Sequence, residues 1–94
     1  MTRYYQGDTV WLRGTFYDRA DAPYDVTGIT CRVYDWQGKQ LGEDITGITQ
    51  VGVGCYETPY TLPMGHKLLY YEFSGKDSAG LTQLCRYPIE PIFA

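Results

Sequence analysis

Apolar and polar residues alternate in short runs along this chain, and no stretch repeats with the period of a helix. Within residues 9–17, Val10, Leu12 and Phe16 fall on one side of the run, and Trp11 and Tyr17 fall on the other. Successive side chains of a β-strand point to opposite faces of its sheet, so this spacing predicts a strand. An amphipathic helix would need apolar residues three and four positions apart. The alternation therefore predicts an all-β fold.

Further runs are predicted to be strands separated by turn residues: 29–36, 39–41, 45–53, 55–62, 67–74 and 81–87. The run over residues 45–53 is the weakest, because glycine interrupts it. About seven short antiparallel strands with such turns are typical of an immunoglobulin-like sandwich, and a small five-stranded barrel is the alternative. With 94 residues, the chain is predicted to be a single domain over residues 1–94.

The alternation also predicts a binding surface. If the aliphatic side of the first strand faces the core, Trp11 and Tyr17 face outward. In the same way, a buried Cys31 leaves Tyr34 and Trp36 facing outward. Exposed tryptophan and tyrosine are enriched at protein interfaces and also stack on sugars. The alternative is that a sandwich edge or a covering loop buries them, since large aromatic residues are usually well buried.

The three cysteines, Cys31, Cys55 and Cys85, are an odd number at wide spacing. Such a pattern fits neither a disulfide framework nor a zinc site. Three reduced and mostly buried thiols are therefore expected. A single bridge between Cys31 and Cys85, joining two core strands, is the alternative.

No group of residues has the composition of an active site. Nucleophilic catalysis needs a Ser or Cys beside a base and an orienting group. The one histidine, His66, lies in a predicted turn, and the two serines, Ser74 and Ser78, lie near a predicted hairpin. The sequence also lacks phosphate-binding, dinucleotide-binding and paired CxxC motifs. We therefore expect no enzymatic activity and no cofactor.

Asp18, Asp21 and Asp25 are the best candidates for a metal site, because Ca²⁺ binds carboxylate oxygens in acidic loops. Their spacing matches no EF-hand, since the loop glycine and the final glutamate are missing. Aspartates in such loops more often cap turns. No metal site is therefore predicted.

Charge and hydropathy narrow the class of partners. The net charge is −3 and the basic residues are scattered singly, whereas nucleic-acid binding needs a basic patch. No segment approaches the roughly 20 apolar residues of a membrane helix, and the first residues lack the apolar run of a secretory signal. If Met1 is the natural start, the protein is expected in the cytoplasm of the cell that makes it.

Short motifs in both halves of the chain point to a family. The first half contains Gly7-Asp8-x-Val10-x-Leu12 and Asp35-x-x-Gly38, and the second contains Tyr70-Tyr71-Glu72-Phe73 followed by Asp77-x-x-Gly80. These motifs resemble the immunoglobulin-like modules of bacterial surface proteins and of tailed-phage virion proteins. The resemblance implies a β-sandwich with a structural or binding role rather than a catalytic one.

The chain differs from antibody-type domains in two respects. Trp36 follows Cys31 by only five residues, and Gln83 stands two residues before Cys85, where antibody domains have a tyrosine.

The resemblance to bacterial and phage modules implies a non-catalytic structural or protein-interaction module, and more specifically a small phage or prophage virion component of the head–tail region or tail. Its expected partner is another protein or a second copy. A carbohydrate-binding module with exposed Trp and Tyr platforms is the alternative.

Overall fold

The computed structural model describes residues 5 and 7–90, and this part of the chain is all-β, as the alternation predicts. Its strands are β1 (Thr9–Thr15), β2 (Thr27–Asp35), β3 (Thr49–Gly52), β4 (Cys55–Thr61), β5 (Leu69–Lys76) and β6 (Thr82–Ile89). No helix within these residues is long and apolar enough to cross a membrane.

In the described part of the chain, six strands take the place of the seven or so that the sequence predicts. Residues 39–41 contribute only an isolated bridge between Tyr34 and Gln40. The weak run over residues 45–53 shortens to β3, and Gly47 just before it takes a positive φ of 66°, which interrupts the extended backbone. Turn chemistry therefore outweighs apolar patterning in this middle part of the chain.

The strands form two antiparallel sheets, in the orders β1-β4-β3 and β2-β5-β6. The β3–β4 and β5–β6 connections are hairpins, whereas the other three connections cross from one sheet to the other. The two sheets remain separate and enclose one hydrophobic core. The architecture is therefore sandwich-like, and the five-stranded barrel is wrong.

Side chains that alternate along the strands fill the core. The buried apolar residues include Val10, Leu12 and Phe16 from the first run and Cys31 and Val33 from β2. Each of these was placed on the apolar side of its run by spacing alone. Because successive residues point to opposite faces, the alternation also fixes which side chains face solvent. The predicted inward faces of these two runs are confirmed.

The two sheets approach each other closely at Gly14. A Cβ atom on this residue would lie 2.5 Å from Cδ2 of Phe73 and 3.1 Å from Sγ of Cys85. Gly14 occupies the inward position between Leu12 and Phe16, where only a residue without a side chain fits. The glycine therefore sets how closely β1 packs on the opposite sheet.

Three hairpin loops share one geometry. In each, an aspartate Oδ1 accepts hydrogen bonds from the backbone N–H groups two and four residues later, at 2.8–3.0 Å. The residue three positions after the aspartate has a positive φ, as in a type I turn followed by a bulge. The aspartate and the residue with positive φ are Asp18 and Asp21 in the first loop, Asp35 and Gly38 in the second, and Asp77 and Gly80 in the third.

Two of the outer strands have part of their outer edges covered. Along β1, the Tyr71 hydroxyl donates to the carbonyl of Arg13 at 2.8 Å, and the Thr15 amide donates to the Tyr87 hydroxyl at 3.2 Å. Along β2, Cys31 exchanges backbone hydrogen bonds with Ile45 at 3.0 and 2.8 Å. The backbone groups that are covered in this way are not available to another chain. The remaining outer strands are β3, with four residues, and β6, with eight.

Candidate interaction surfaces

Three of the four aromatic residues predicted to face outward are well exposed. Trp11, Tyr17 and Trp36 keep 60%, 60% and 67% of their surface accessible. Tyr34, on the outside of β2, is half-buried and so less exposed than the other three. The guanidinium of Arg86 lies 5.3 Å from the centre of its ring and covers part of it. Exposure makes these residues available for binding, and their role in binding stays a prediction.

The fold does not bring these four residues into one surface. Trp11 lies on β1 and Tyr34 on β2, strands of opposite sheets. Trp36 follows Asp35, which pairs with the first residue of β5. Tyr17 lies at the other end of the sandwich, in a groove formed with residues just past the end of β5. A small ligand therefore cannot contact all four residues at once.

Trp11 stands among polar pairs on the outer face of the β1-β4-β3 sheet. Its cross-strand neighbour is Pro59. On one side the Thr9 and Thr61 hydroxyls are 2.8 Å apart, and on the other side Arg13 donates to Glu57 at 2.9 Å. The glutamate also raises the pKa of the Arg13 guanidinium through this hydrogen bond. The indole is therefore an exposed apolar platform with hydroxyl and charged groups at its margins.

The outer face of the other sheet carries a row of alternating charges. Arg32 donates to Asp44 at 3.0 Å, and Arg86 donates to Glu72 at 2.8 Å. Hydrogen bonds from Arg32 and then Gln40 hold the pKa of Asp44 below its ordinary value. The two arginines lie on either side of Glu72 in the strand register. Because each arginine is paired with a carboxylate, the two do not form the unpaired basic patch that nucleic-acid binding needs.

Tyr17 lines a groove at one end of the sandwich, between two of the aspartate-capped loops. The groove measures about 500 Å³, and Tyr24, Asp77 and Leu81 also line it. A second hollow of about 360 Å³ shares Tyr17 and Tyr24 and follows β6 as far as Tyr87. Partial burial, together with nearby carboxylates, raises the pKa of Tyr24. The two aspartates in the groove, Asp18 and Asp77, are already bonded to their own loops. Polar side chains line it as well as aromatic ones, so the groove presents a mixed surface.

The cysteines are free thiols, and the alternative bridge is wrong. Cys31 and Cys85 both pair with Phe73, from opposite sides of β5. Two strand spacings put their Cα atoms about 10 Å apart, beyond the roughly 7 Å that a disulfide spans. Burial raises the pKa of Cys31 to about 12 and also raises that of Cys85. Both are therefore neutral thiols at physiological pH.

The acidic loop residues act within the fold. Asp18 caps its own loop, and the Oδ1 atom of Asp25 accepts hydrogen bonds from the Gly54 amide at 2.8 Å and from Gln50 at 2.7 Å. Asp21 supplies the positive φ of its hairpin. Among residues 5 and 7–90, no three His, Cys, Asp or Glu side chains converge as metal ligands. Asp18 and Asp25 are therefore occupied by hydrogen bonds within the fold.

The one histidine and the loop serine lie at opposite ends of β5. His66 precedes this strand and Ser78 follows it, and a strand of this length spans roughly 25 Å. A histidine must approach a serine hydroxyl to hydrogen-bonding distance to activate it. The fold therefore keeps these two groups from acting as a nucleophile and base.

Comparison with protein-family models, with curated proteins and with solved structures finds no match to this chain. Functional conclusions therefore depend on the geometry of the chain itself.

Sequence patterns missed two features of the surface. The first is the groove beside Tyr17, because its walls come from loops that are distant in sequence. The second is the place of β6 at the outside of its sheet, because the order of strands in a sheet does not follow from alternation. Pro88 was a usable signal for the edge, since proline within a sheet is largely confined to edge strands.

Proposed function

We propose that this domain is a non-catalytic structural or protein-interaction module. The observation that carries the proposal is the exposure of Trp11 and Trp36, at 60% and 67% of their surface, on a small domain. Tryptophan is among the residue types whose removal most often costs binding energy. The polar groups near Trp11 are paired with one another rather than aimed at a reacting centre. Binding therefore fits this surface better than chemistry does.

The strand order supports a finer proposal, an immunoglobulin-like sandwich. Immunoglobulin domains place strands A, B, E and D in one sheet and C, F and G in the other. If β1 to β6 correspond to strands B to G, the two sheets become B-E-D and C-F-G, which is the order found here. Strand A has no counterpart among the strands described. We further propose, from the sequence resemblance, a small phage or prophage virion component made in the cytoplasm of the producing cell.

Substitution of the two tryptophans tests the proposed function. Trp11→Ala and Trp36→Ala should each change the free energy of unfolding by less than about 1 kcal/mol, because exposed positions tolerate change. Each should reduce the amount of a specific partner that co-purifies with the tagged domain from producing cells. The matched variants Trp11→Phe and Trp36→Phe retain an aromatic ring and should retain more partner. Equal recovery with wild type and both alanine variants would contradict the proposal.

Carbohydrate binding is the second candidate, and the surroundings of Trp11 favour it. An exposed indole with hydroxyl groups beside it resembles the platforms on which sugar rings stack. In the variant Trp36→Phe, Trp11 is the remaining tryptophan. Soluble polysaccharides should then shift its fluorescence if sugars bind there. An unchanged spectrum across a panel of glucans, galactans and chitin fragments would reject this candidate.

A further inference from the structure

We propose that the groove between the Asp18 and Asp77 loops binds an arginine side chain of a partner protein. The proposal deepens the proposed function, because it rests on the domain being a protein-interaction module and names the chemistry that a partner presents. It concerns a surface separate from Trp11 and Trp36, neither of which lines the groove.

Two tyrosines on the first capped hairpin supply the aromatic part of the groove. Tyr17 forms a bridge with Pro23, and the Tyr24 amide donates to the carbonyl of Phe16 at 3.1 Å, so the tyrosines lie on opposite arms of the hairpin. The ring of Tyr24 packs edge-on against the buried ring of Phe16, with 6.5 Å between their centres. Tyr17 keeps 60% of its surface accessible. The core therefore holds one ring in place, and the other is open to a ligand.

The turn between β5 and β6 supplies the facing wall. Asp77, Ser78 and Leu81 line the groove from this turn, and Gln83 follows them on β6. The side-chain amide of Gln83 donates to Oδ2 of Asp77 at 3.0 Å, which fixes the carboxylate. The volume of about 500 Å³ falls in the range of small-ligand sites. A preformed groove thus combines tyrosine rings with a carboxylate and an aliphatic side chain.

The charge of the groove favours a cation. Two of its lining side chains, Asp18 and Asp77, are acidic and one, Arg19, is basic, which leaves an excess of one negative charge. Hydrogen bonds from the turn, that of the Leu81 amide first, lower the pKa of Asp77 and keep it ionised. Partial burial and then the Asp77 and Asp18 carboxylates raise the pKa of Tyr24, so their negative potential reaches its ring. Carboxylates and the face of a tyrosine both attract a cation.

Arginine matches these groups better than other cations do. Its guanidinium is planar, stacks on aromatic rings and donates several hydrogen bonds to carboxylates. A quaternary ammonium has no donor to offer, and the lysine ammonium is a compact, strongly hydrated charge. The methylene stem of arginine can lie along Leu81, which is 62% exposed. The combination of tyrosine, carboxylate and leucine therefore points to arginine.

The groove is also remote from both ends of the described chain. β1 begins with Thr9 and β6 ends with Ile89, whereas Tyr17 comes after the end of β1 and Leu81 comes before the start of β6. Strands of this length span roughly 20 Å or more. The first and last described residues therefore lie at the other end of the sandwich, and a segment of a partner can approach the groove without contacting them.

Titration of the purified domain with a short peptide, followed by nuclear magnetic resonance, tests the proposal. An acetylated and amidated Gly-Arg-Gly peptide should shift the ring signals of Tyr17 and Tyr24 and the amide signal of Leu81, with saturation in the millimolar range expected of so small a ligand. The matched peptide with citrulline keeps the shape without the charge and should bind at least about fivefold more weakly. Raising salt from about 20 to about 500 mM should weaken the arginine peptide more than the citrulline peptide.

Variants of the domain locate the site. Asp18→Asn keeps a side-chain oxygen for the loop amides but removes the charge, and it should weaken binding about threefold or more. The matched control is Asp35→Asn, since Asp35 caps the same kind of loop at the other end of the sandwich, and its affinity should equal that of wild type. Tyr17→Leu should weaken binding about two- to fivefold through the loss of the cation–π contact. Arg19→Gln removes a like charge and should strengthen binding.

Several outcomes would overturn the proposal. One is the absence of a saturable shift up to about 20 mM arginine peptide, and another is equal affinity for arginine and citrulline peptides. Tighter binding of a trimethyllysine peptide or of a soluble glucan in the groove would assign it to a different ligand. Equal effects of Asp18→Asn and Asp35→Asn would exclude the groove as the site. Each of these results leaves the tryptophan test standing, and equal partner recovery in that test leaves peptide binding standing.

Discussion

At the residue scale, Gly14 shows how one missing side chain sets the distance between two sheets. Its inward position lies against Phe73, and a methyl group there would lie 2.5 Å from the ring. We expect Gly14→Ala to lower the free energy of unfolding by about 1–3 kcal/mol, because overpacking forces neighbouring side chains from their preferred positions. The control Gly52→Ala adds a Cβ whose nearest neighbour is 3.8 Å away. Urea unfolding of both variants measures the difference, and equal losses would argue against the close approach.

The thiols give a second prediction at this scale. All three should react with a thiol reagent after denaturation without reductant, because the structure contains free cysteines. In the native state Cys31 should react at least about 100-fold more slowly than Cys55, since the thiolate is the reactive form. Cys31 is 0% exposed and its pKa is raised to about 12. Only one reactive thiol after denaturation would restore the bridge to Cys85.

The pKa of Cys31 also predicts how stability depends on pH. Burial raises it to about 12, whereas a thiol in the unfolded chain titrates near 8.5. The native state therefore retains a proton that the unfolded state loses. This contribution to stability is complete below about pH 8.5 and is lost as pH rises toward 12. Urea unfolding at pH 7.5 and 10.5 should show a smaller decline for Cys31→Ala than for wild type, and parallel declines would contradict the prediction.

At the scale of elements, the aspartate-capped hairpins connect local sequence to strand pairing. Asp77 accepts hydrogen bonds from the amides of Ala79 and Leu81 and positions the β5–β6 turn. These bonds, with that from Leu81 the largest cause, lower the pKa of Asp77. A lowered pKa contributes stability above the pKa of the unfolded state, and this is lost as pH falls through the native value. The hairpin is therefore weakened by acid.

We accordingly expect Asp77→Ala to unfold at a lower urea concentration than wild type at pH 7, with a smaller difference at pH 3. The exposed neighbour Ser78 provides a control in the same loop, and Ser78→Ala should match wild type at both values. A difference between Asp77→Ala and wild type that does not change with pH would show that the carboxylate charge is irrelevant to the turn.

The strands also show how much of the fold can be predicted from sequence patterns. Alternation predicted the strands β1, β2 and β5 and, for β1 and β2, also the buried side, because one face of each packs against the core. It failed over residues 39–53, where turns decide the path and β3 is exposed throughout. The candidate aromatic residues were found, but their separation on the sandwich was not, because strand order depends on contacts between distant segments. Turn capping in the acidic loop was expected and holds for Asp18, whereas the positive φ of Asp21, where the other two loops have glycine, was not expected.

At the scale of the whole molecule, one core is shared by strands that are distant in sequence. β1 pairs with β4 and β2 pairs with β5, so long loops must close before these contacts form. Folding is therefore expected on the millisecond-to-second timescale of all-β domains, with one cooperative unfolding transition.

Far-ultraviolet circular dichroism should report β-structure that melts in a single step. Because Trp11 and Trp36 are exposed in the native state, their emission should change little through the same transition. A helix content above about a quarter would contradict the fold, and two separate melting steps would mean that the sheets do not share a core.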